Sequence, residues 1–175
     1  MVKLALSLLL MLSAHVASAL SYTMEITEQE IQQRVTAMMP IQVTKPPIMV
    51  AFLDPKVRLL KVSEEVAVSS PLELDVAGFM KASGYVNVKG SLSYEPTTGE
   101  FFLKNPLITE MEVKNLPEKY LPKAREAAQL AIEKSLATRP IYRLKDNDLK
   151  QKLAKAVLQS VNVKNEKLLV TLSVF

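Results

Sequence analysis

The chain has 175 residues, one histidine and no cysteine, and its 22 basic and 18 acidic side chains give a net charge of +4. The single histidine, His15, lies in an N-terminal stretch with the marks of a removable leader, so the remainder holds neither imidazole nor thiol. That composition excludes Ser-His-Asp and Cys-His nucleophile systems, thiolate or imidazole metal sites and disulfides, and the scattered, sign-mixed charges offer no basic face for nucleic acid.

Met1 to Ala19 reads as a secretory signal peptide. Lys3 gives a positive start, Leu4 to Leu12 is an apolar run, and Ala17-Ser18-Ala19 is a small-x-small cleavage site. The run is too short to span a membrane. Cleavage after Ala19 leaves residues 20–175, which by length make one domain with a net charge of +3. No second apolar run approaches membrane length, so the expectation is an exported, periplasmic, soluble protein. Without a cysteine after the leader there is no lipobox to acylate.

Ile26-Thr27-Glu28-Gln29-Glu30-Ile31 carries a helix start: Thr27 as cap, Glu30 as its capping-box partner, Ile26 and Ile31 as hydrophobic staple. Ile31, Val35 and Met38 continue as a stripe at helical spacing, and Pro40 ends the helix. Ile48 to Leu60 is a strand broken at Asp54-Pro55, and its proline predicts an edge or a bulge.

From Val66 to Val113 the chain alternates. Val66, Val68, Leu72, Leu74 and Val76 form one run, and Val86, Val88, Leu92 and Tyr94 the next. A turn at Glu95 to Glu100 leads into Phe101 and Leu103, followed by Thr109, Met111 and Val113. A period of two means strands with one apolar and one wet face, paired antiparallel through short turns. Val66 to Val76 spans eleven residues, about 36 Å at ~3.3 Å per residue. Strands of that length twist and coil, which predicts one long curved antiparallel sheet whose apolar face must be covered.

Leu116 to about Ala137 is the covering helix, with Leu121, Ala124, Ala128, Ile132 and Leu136 on its apolar side. Asp146 to Leu158 is a shorter helix with Leu149, Leu153, Ala156 and Val157 as its stripe. Val161-Asn162-Val163 and Leu168 to Phe175 form a last hairpin around Asn165-Glu166, expected to close the sheet. The fold class read from these elements is α+β: a long curved antiparallel sheet around a long helix, plus short N- and C-terminal helices.

Carboxylates are the remaining acid–base candidates, and each has a structural explanation. Asp146 and Asp148 suit a helix start, Glu64 and Glu65 a hairpin turn, and Glu110 and Glu112 the wet side of a strand. The four glycines make no phosphate-cradling loop. No enzyme, cofactor or metal is expected.

Five stretches resemble the YceB-like family of bacterial periplasmic lipoproteins of unknown function. They are Tyr22-Thr23 with Ile26 to Ile31, Gly99-Glu100-Phe101-Phe102-Leu103-Lys104, Pro140-Ile141-Tyr142-Arg143-Leu144, Lys152-Leu153-Ala154-Lys155, and Val161-Asn162-Val163 to Phe175. The resemblance implies a tubular lipid-binding (TULIP-like) fold, a long helix wrapped by a highly curved sheet around an apolar tunnel. The missing cysteine departs from the lipoprotein pattern and argues against an acyl anchor, not against lipid binding.

On this reading Ile31, Val35, Met38, Val66, Val68, Leu72, Leu74, Val76, Val86, Val88, Leu92, Tyr94, Phe101, Leu103, Met111, Val113, Ala128 and Ile132 wall a tunnel. The tunnel would take a lipid or fatty-acyl chain, with transient contact at the membrane surface. Periodicity alone reads the same residues as filled core. The alternative is then an envelope interaction module acting through its surface or an edge strand such as Ile48 to Leu53.

Overall fold

Alternating residues satisfy both their backbone groups and their apolar faces only by pairing into a sheet with one side covered. In the computed structural model, which describes residues 20–61 and 65–174, the alternating run forms β5 (Glu65–Val76), β6 (Met80–Glu95) and β7 (Glu100–Lys114). These pair as an antiparallel meander. On the other side of β5 lie β3 (Ile48–Phe52), paired with its second half, and β4 (Lys56–Leu59), paired with its first. Outside β3 comes β2 (Ile41–Lys45), and β8 (Tyr142–Arg143) adds to β7 at Glu100 and Phe101. The order is β2-β3-β5-β6-β7-β8. Ile48 to Phe52 is therefore not the exposed edge that its neighbouring prolines predict, because β2 folds back over Pro46-Pro47 and covers it. The expected leader, residues 1–19, and Glu64 lie outside the described residues.

The architecture is α+β, mostly antiparallel sheet with three α-helices among the described residues: α1 (Glu28–Thr36), α2 (Leu121–Ser135) and α3 (Leu149–Val157). The expected single sheet is two. The last hairpin, β9 (Leu158–Lys164) and β10 (Lys167–Val174), pairs with the N-terminal strand β1 (Leu20–Thr27) in the order β1-β10-β9 and does not join the seven-stranded sheet. Its partner went unread because β1 directly follows the leader, although Met24 and Ile26 alternate with Thr23 and Glu25 in burial. The hairpin turn itself is as expected. Asn165 and Glu166 both have positive φ, the conformation that matches strand twist in a two-residue loop.

β7 changes phase twice, which simple alternation does not foresee. Opposite β6, Asn87 faces Glu110 but Val88 faces Ile108, so Thr109 is an extra residue; further on, Lys89 faces Leu107 and Ser91 faces Lys104. Each bulge swaps the faces. Phe101 and Leu103 point inward, then Pro106 and Ile108, then Met111 and Val113 partly. Thr109, read from the sequence as aligned with Met111 and Val113, is exposed, and Ile108 takes the interior place. Gly90 makes the second bulge feasible, because a Cβ there would lie 2.8 Å from Leu103 Cγ and 2.9 Å from the Lys104 carbonyl oxygen.

The N-terminal helix signal is realised in full. Glu30 N donates to Thr27 Oγ1 at 3.3 Å, Thr27 N donates to Glu30 Oε2 at 2.9 Å, and Ile26 and Ile31 are both buried. The covering helix is shorter than expected. Glu118–Tyr120 is a 3₁₀ turn, and the α-helix runs only over Leu121–Ser135, about 22 Å.

Candidate functional site

All eighteen residues expected to wall a tunnel face one continuous apolar interior. Thirteen are buried core, while Met38, Leu92, Tyr94, Met111 and Val113 are partly buried against it. α1 supplies Ile31 and Val35, β5 and β6 supply the valines and leucines of their even positions, and α2 adds Ala128 and Ile132. The approach of α2 is close because its inward residues are small. Ala124, Ala127, Ala128 and Ala131 are each fully buried.

The space left beneath α2 is small. A void of about 10 Å³ lies between Ile132 and Leu136 on the helix and Phe52, Val68, Val86 and Val88 on the sheet. Its one polar neighbour, Ser70, is buried and its hydroxyl donates to the Leu53 carbonyl. A pocket for a small molecule is typically 300–1,000 Å³, and about 10 Å³ is at the lower limit for one water. The wall residues pack against one another. Phe52, Ile41 and Leu136 line this void without having been among the expected wall residues; Leu136 was already on the apolar side of the predicted helix, and the i, i+2, i+4 spacing of Ile48, Val50 and Phe52 was the signal for the other side.

α2 is also fastened to two well-separated strands of the sheet, β2 and β7. At β2, Lys45 Nζ forms an ion pair with Glu126. At β7, Ile108 N donates to Gln129 Oε1 at 3.2 Å, Gln129 Nε2 donates to the Pro106 carbonyl at 2.8 Å, and Arg125 Nη2 donates to the Ile108 carbonyl at 2.9 Å. Helix side chains thus occupy backbone groups that an edge strand would otherwise present to another chain.

Larger hollows lie elsewhere. One of about 210 Å³ sits between the two sheets, lined by Leu92, Tyr94 and Phe101 from one and Val161 and Val163 from the other. The Tyr94 hydroxyl there is enclosed and has no hydrogen-bond partner among the described residues; burial, then the Glu95 charge, raises its pKa. A hollow of about 350 Å³ lies on the wet face of β3, β5 and β6, around Met49, Glu73, Asp75 and Lys81. A broader polar cleft of about 500 Å³ runs between α1 and residues 142–147.

The polar cleft holds the buried hydrogen bonds that sequence reading missed. Tyr142 Oη donates to Gln151 Oε1 at 3.3 Å and lies 3.5 Å from Glu30 Oε1, while Lys145 N donates to Gln151 Oε1 at 2.7 Å. Burial and the Glu30 charge push the Tyr142 pKa up to about 12, so the phenol keeps its proton as a donor. Beside it, hydrogen bonds from Thr98 and Arg143 hold the Glu100 carboxyl below its usual range. Asp148 caps α3 by accepting from Lys150 N at 2.9 Å and Gln151 N at 3.3 Å, whereas Asp146 pairs with Lys155 at 2.7 Å. Glu110 accepts from Asn87 Nδ2 on the wet face, and Glu112 is exposed there. Asp146, Asp148, Glu110 and Glu112 thus each have a structural partner or face water.

Residues 26–167 match the family DUF1439, described as a protein of unknown function. The chain belongs to this family. The match runs from the end of β1 to the first residue of β10, so it takes in all three helices and every strand of the larger sheet. No curated protein matches the sequence. Among the described residues, no helix is long and apolar enough to cross a membrane.

Proposed function

We propose that this protein is a non-enzymatic protein of the bacterial envelope that works through its surface, with a filled apolar interior. The observation that carries this reading is the void of about 10 Å³ under α2, where a chain-sized ligand would need roughly thirty times more. The leader pattern supports export to the periplasm. The bonds from Gln129 and Arg125 to Pro106 and Ile108 obstruct strand addition at that part of β7 and favour interaction through other faces.

A second reading, a carrier for a lipid or fatty-acyl chain, is favoured by one arrangement. α2 lies against β2 and β3 and also against β7. Laid flat, β2 and β7 would be about 19 Å apart at ~4.8 Å per strand, wider than a helix of ~10 Å. A sheet curved around α2, as the YceB-like resemblance and a TULIP-like fold imply, accounts for both contacts. Transfer of a fourteen-methylene chain from bilayer to such an interior would be close to neutral, since each side returns about 11 kcal/mol against water. For that, α2 would have to leave its ion pair and its three hydrogen bonds to β7.

Native mass spectrometry of protein purified without detergent, with titration of a fluorescent fatty acid, tests the choice. The surface reading expects an empty protein and no saturable binding. Acyl species at near-unit stoichiometry would replace it with the carrier.

A further inference from the structure

Two irregularities coincide at the seam between the sheets. Folded interiors leave few voids larger than a water molecule, yet a hollow of about 210 Å³ separates Leu92, Tyr94 and Phe101 on β6 and β7 from Val161 and Val163 on β9. Buried hydroxyls nearly always find a partner, yet the Tyr94 hydroxyl, enclosed at this seam, has none among the described residues. Its ring is tilted against that of the fully buried Phe101, with centroids 4.9 Å apart. Among the described residues no strand pairing joins the two sheets, so no ladder of backbone hydrogen bonds resists a slight widening of the seam.

We propose that this seam binds a small neutral molecule, mostly apolar, with one carbonyl oxygen that accepts from the Tyr94 hydroxyl. The walls select the body of the ligand. Leu92, Phe101, Val161 and Val163 line the hollow from both sheets, and burying apolar surface between them is favourable. The orphan hydroxyl selects the polar atom. Burial and then the Glu95 charge keep the proton on the phenol, which makes it a donor, and pairing it removes the penalty of an unsatisfied buried group. Neutrality follows from the lining, since none of the described lining residues is charged and Glu95 would repel an anion beside Tyr94. The volume is below the ~300–1,000 Å³ usual for drug-sized ligands, so the occupant is smaller than those. The hydroxyl is enclosed in the wall, and the ligand's oxygen reaches it as the sheets part slightly. The site shares no lining residue with the void under α2 and is too small for a fatty-acyl chain. It is therefore independent of the choice between surface protein and carrier.

Titration of the mature protein with cyclohexanone, with 2-heptanone and with cyclohexane, followed through amide chemical shifts, tests the proposal. Both ketones should shift the amides of Leu92, Tyr94 and Val161 in a saturable way. Tyr94→Phe should weaken ketone binding roughly five- to tenfold, the loss expected for one hydrogen bond, and leave cyclohexane unaffected. Without ligand, Tyr94→Phe should melt at or above the parental temperature, because it deletes an enclosed hydroxyl that has no partner. Absence of saturable shifts with both ketones overturns the proposal, as does ketone binding undiminished in Tyr94→Phe. A lower melting temperature for Tyr94→Phe would show that water or protein already pairs the hydroxyl, and would overturn it as well.

Discussion

α2 and α3 carry the same kind of repeat and set it in opposite directions. On α2, Ala124, Ala128 and Ile132 recur at fourfold spacing and are buried; on α3, Leu149 and Leu153 recur at the same spacing and face water. The difference lies in what each helix meets. Beneath α2 the void is lined by apolar side chains and Ser70 alone among polar ones, and the helix turns its alanines and Ile132 inward. α3 meets β10 and the segment that carries Tyr142 and Lys145, whose hydroxyl and N–H require an acceptor. Gln151 supplies it, and the helix is rotated so that Gln151, not leucine, is inside. Without Gln151 two enclosed donors would lose their acceptor, at about 1–3 kcal/mol each, while leucines on a surface are tolerated.

The largest expected effect breaks the α2 side of this comparison. Ile132→Ala removes a buried side chain beside a void already present and should cost about 2–5 kcal/mol in denaturant unfolding. Val88→Phe tests the same place by addition. With only about 10 Å³ to receive the ring, overpacking should cost about 1–3 kcal/mol. A parental midpoint for Val88→Phe would mean that the interior opens readily, and would favour the carrier.

The support of α3 can be probed through pH. Tyr142 has its pKa raised from 10.0 to about 12, so the fold favours the neutral phenol. Its contribution is therefore complete below pH 10 and is lost as pH rises toward 12, about 1–3 kcal/mol by linkage. Glu100 works in the other direction. Its lowered pKa stabilises the fold above the ordinary carboxylate value and ceases to do so as pH falls through the depressed one. Between these limits melting temperature should be flat from about pH 6 to 8, since no side chain of residues 20–175 has an ordinary pKa there. Tyr142→Phe should reduce the alkaline loss, leaving the part due to Tyr94, whose pKa is raised as well; an undiminished loss would detach the Tyr142 phenol from the stability of this region.

How much of this was legible follows the same division. The meander, the Thr27 capping box, the Asn165-Glu166 turn and the inward side of the interior residues follow from local patterns, because apolar period and turn chemistry are properties of a few neighbouring residues. The two bulges in β7 are not, since Thr109 becomes an extra residue, and Asn105 and Pro106 come to share Gly90, only opposite a particular strand. Nor is the second sheet, whose β1 and β10 are joined by pairing across nearly the whole chain. The orientation of α3 depends on Tyr142 and Lys145, and no period within residues 149–157 contains them. Among the candidate sites, the apolar interior could be read from the sequence, but how little space it leaves could not, because that depends on how closely four alanines let a helix approach.

The smallest effect is expected where the sequence stripe would place a large one. Leu153 lies on the apolar stripe of α3, and a helix that buried that stripe would lose several kcal/mol on truncation to alanine, as Ile132 should. In the observed orientation Leu153 is 57% exposed, and alanine is at least as good a helix former as leucine. Leu153→Ala should then change stability by no more than about 0.5 kcal/mol, within the usual range for surface substitutions. Measured beside Ile132→Ala in the same denaturant series, it gives the comparison as a ratio that is insensitive to errors shared by both. A loss above about 1 kcal/mol for Leu153→Ala would show that the leucine packs against protein in solution. That would return Gln151 to the outside, and with it the hydrogen bonds from Tyr142 and Lys145 on which the inverted helix depends.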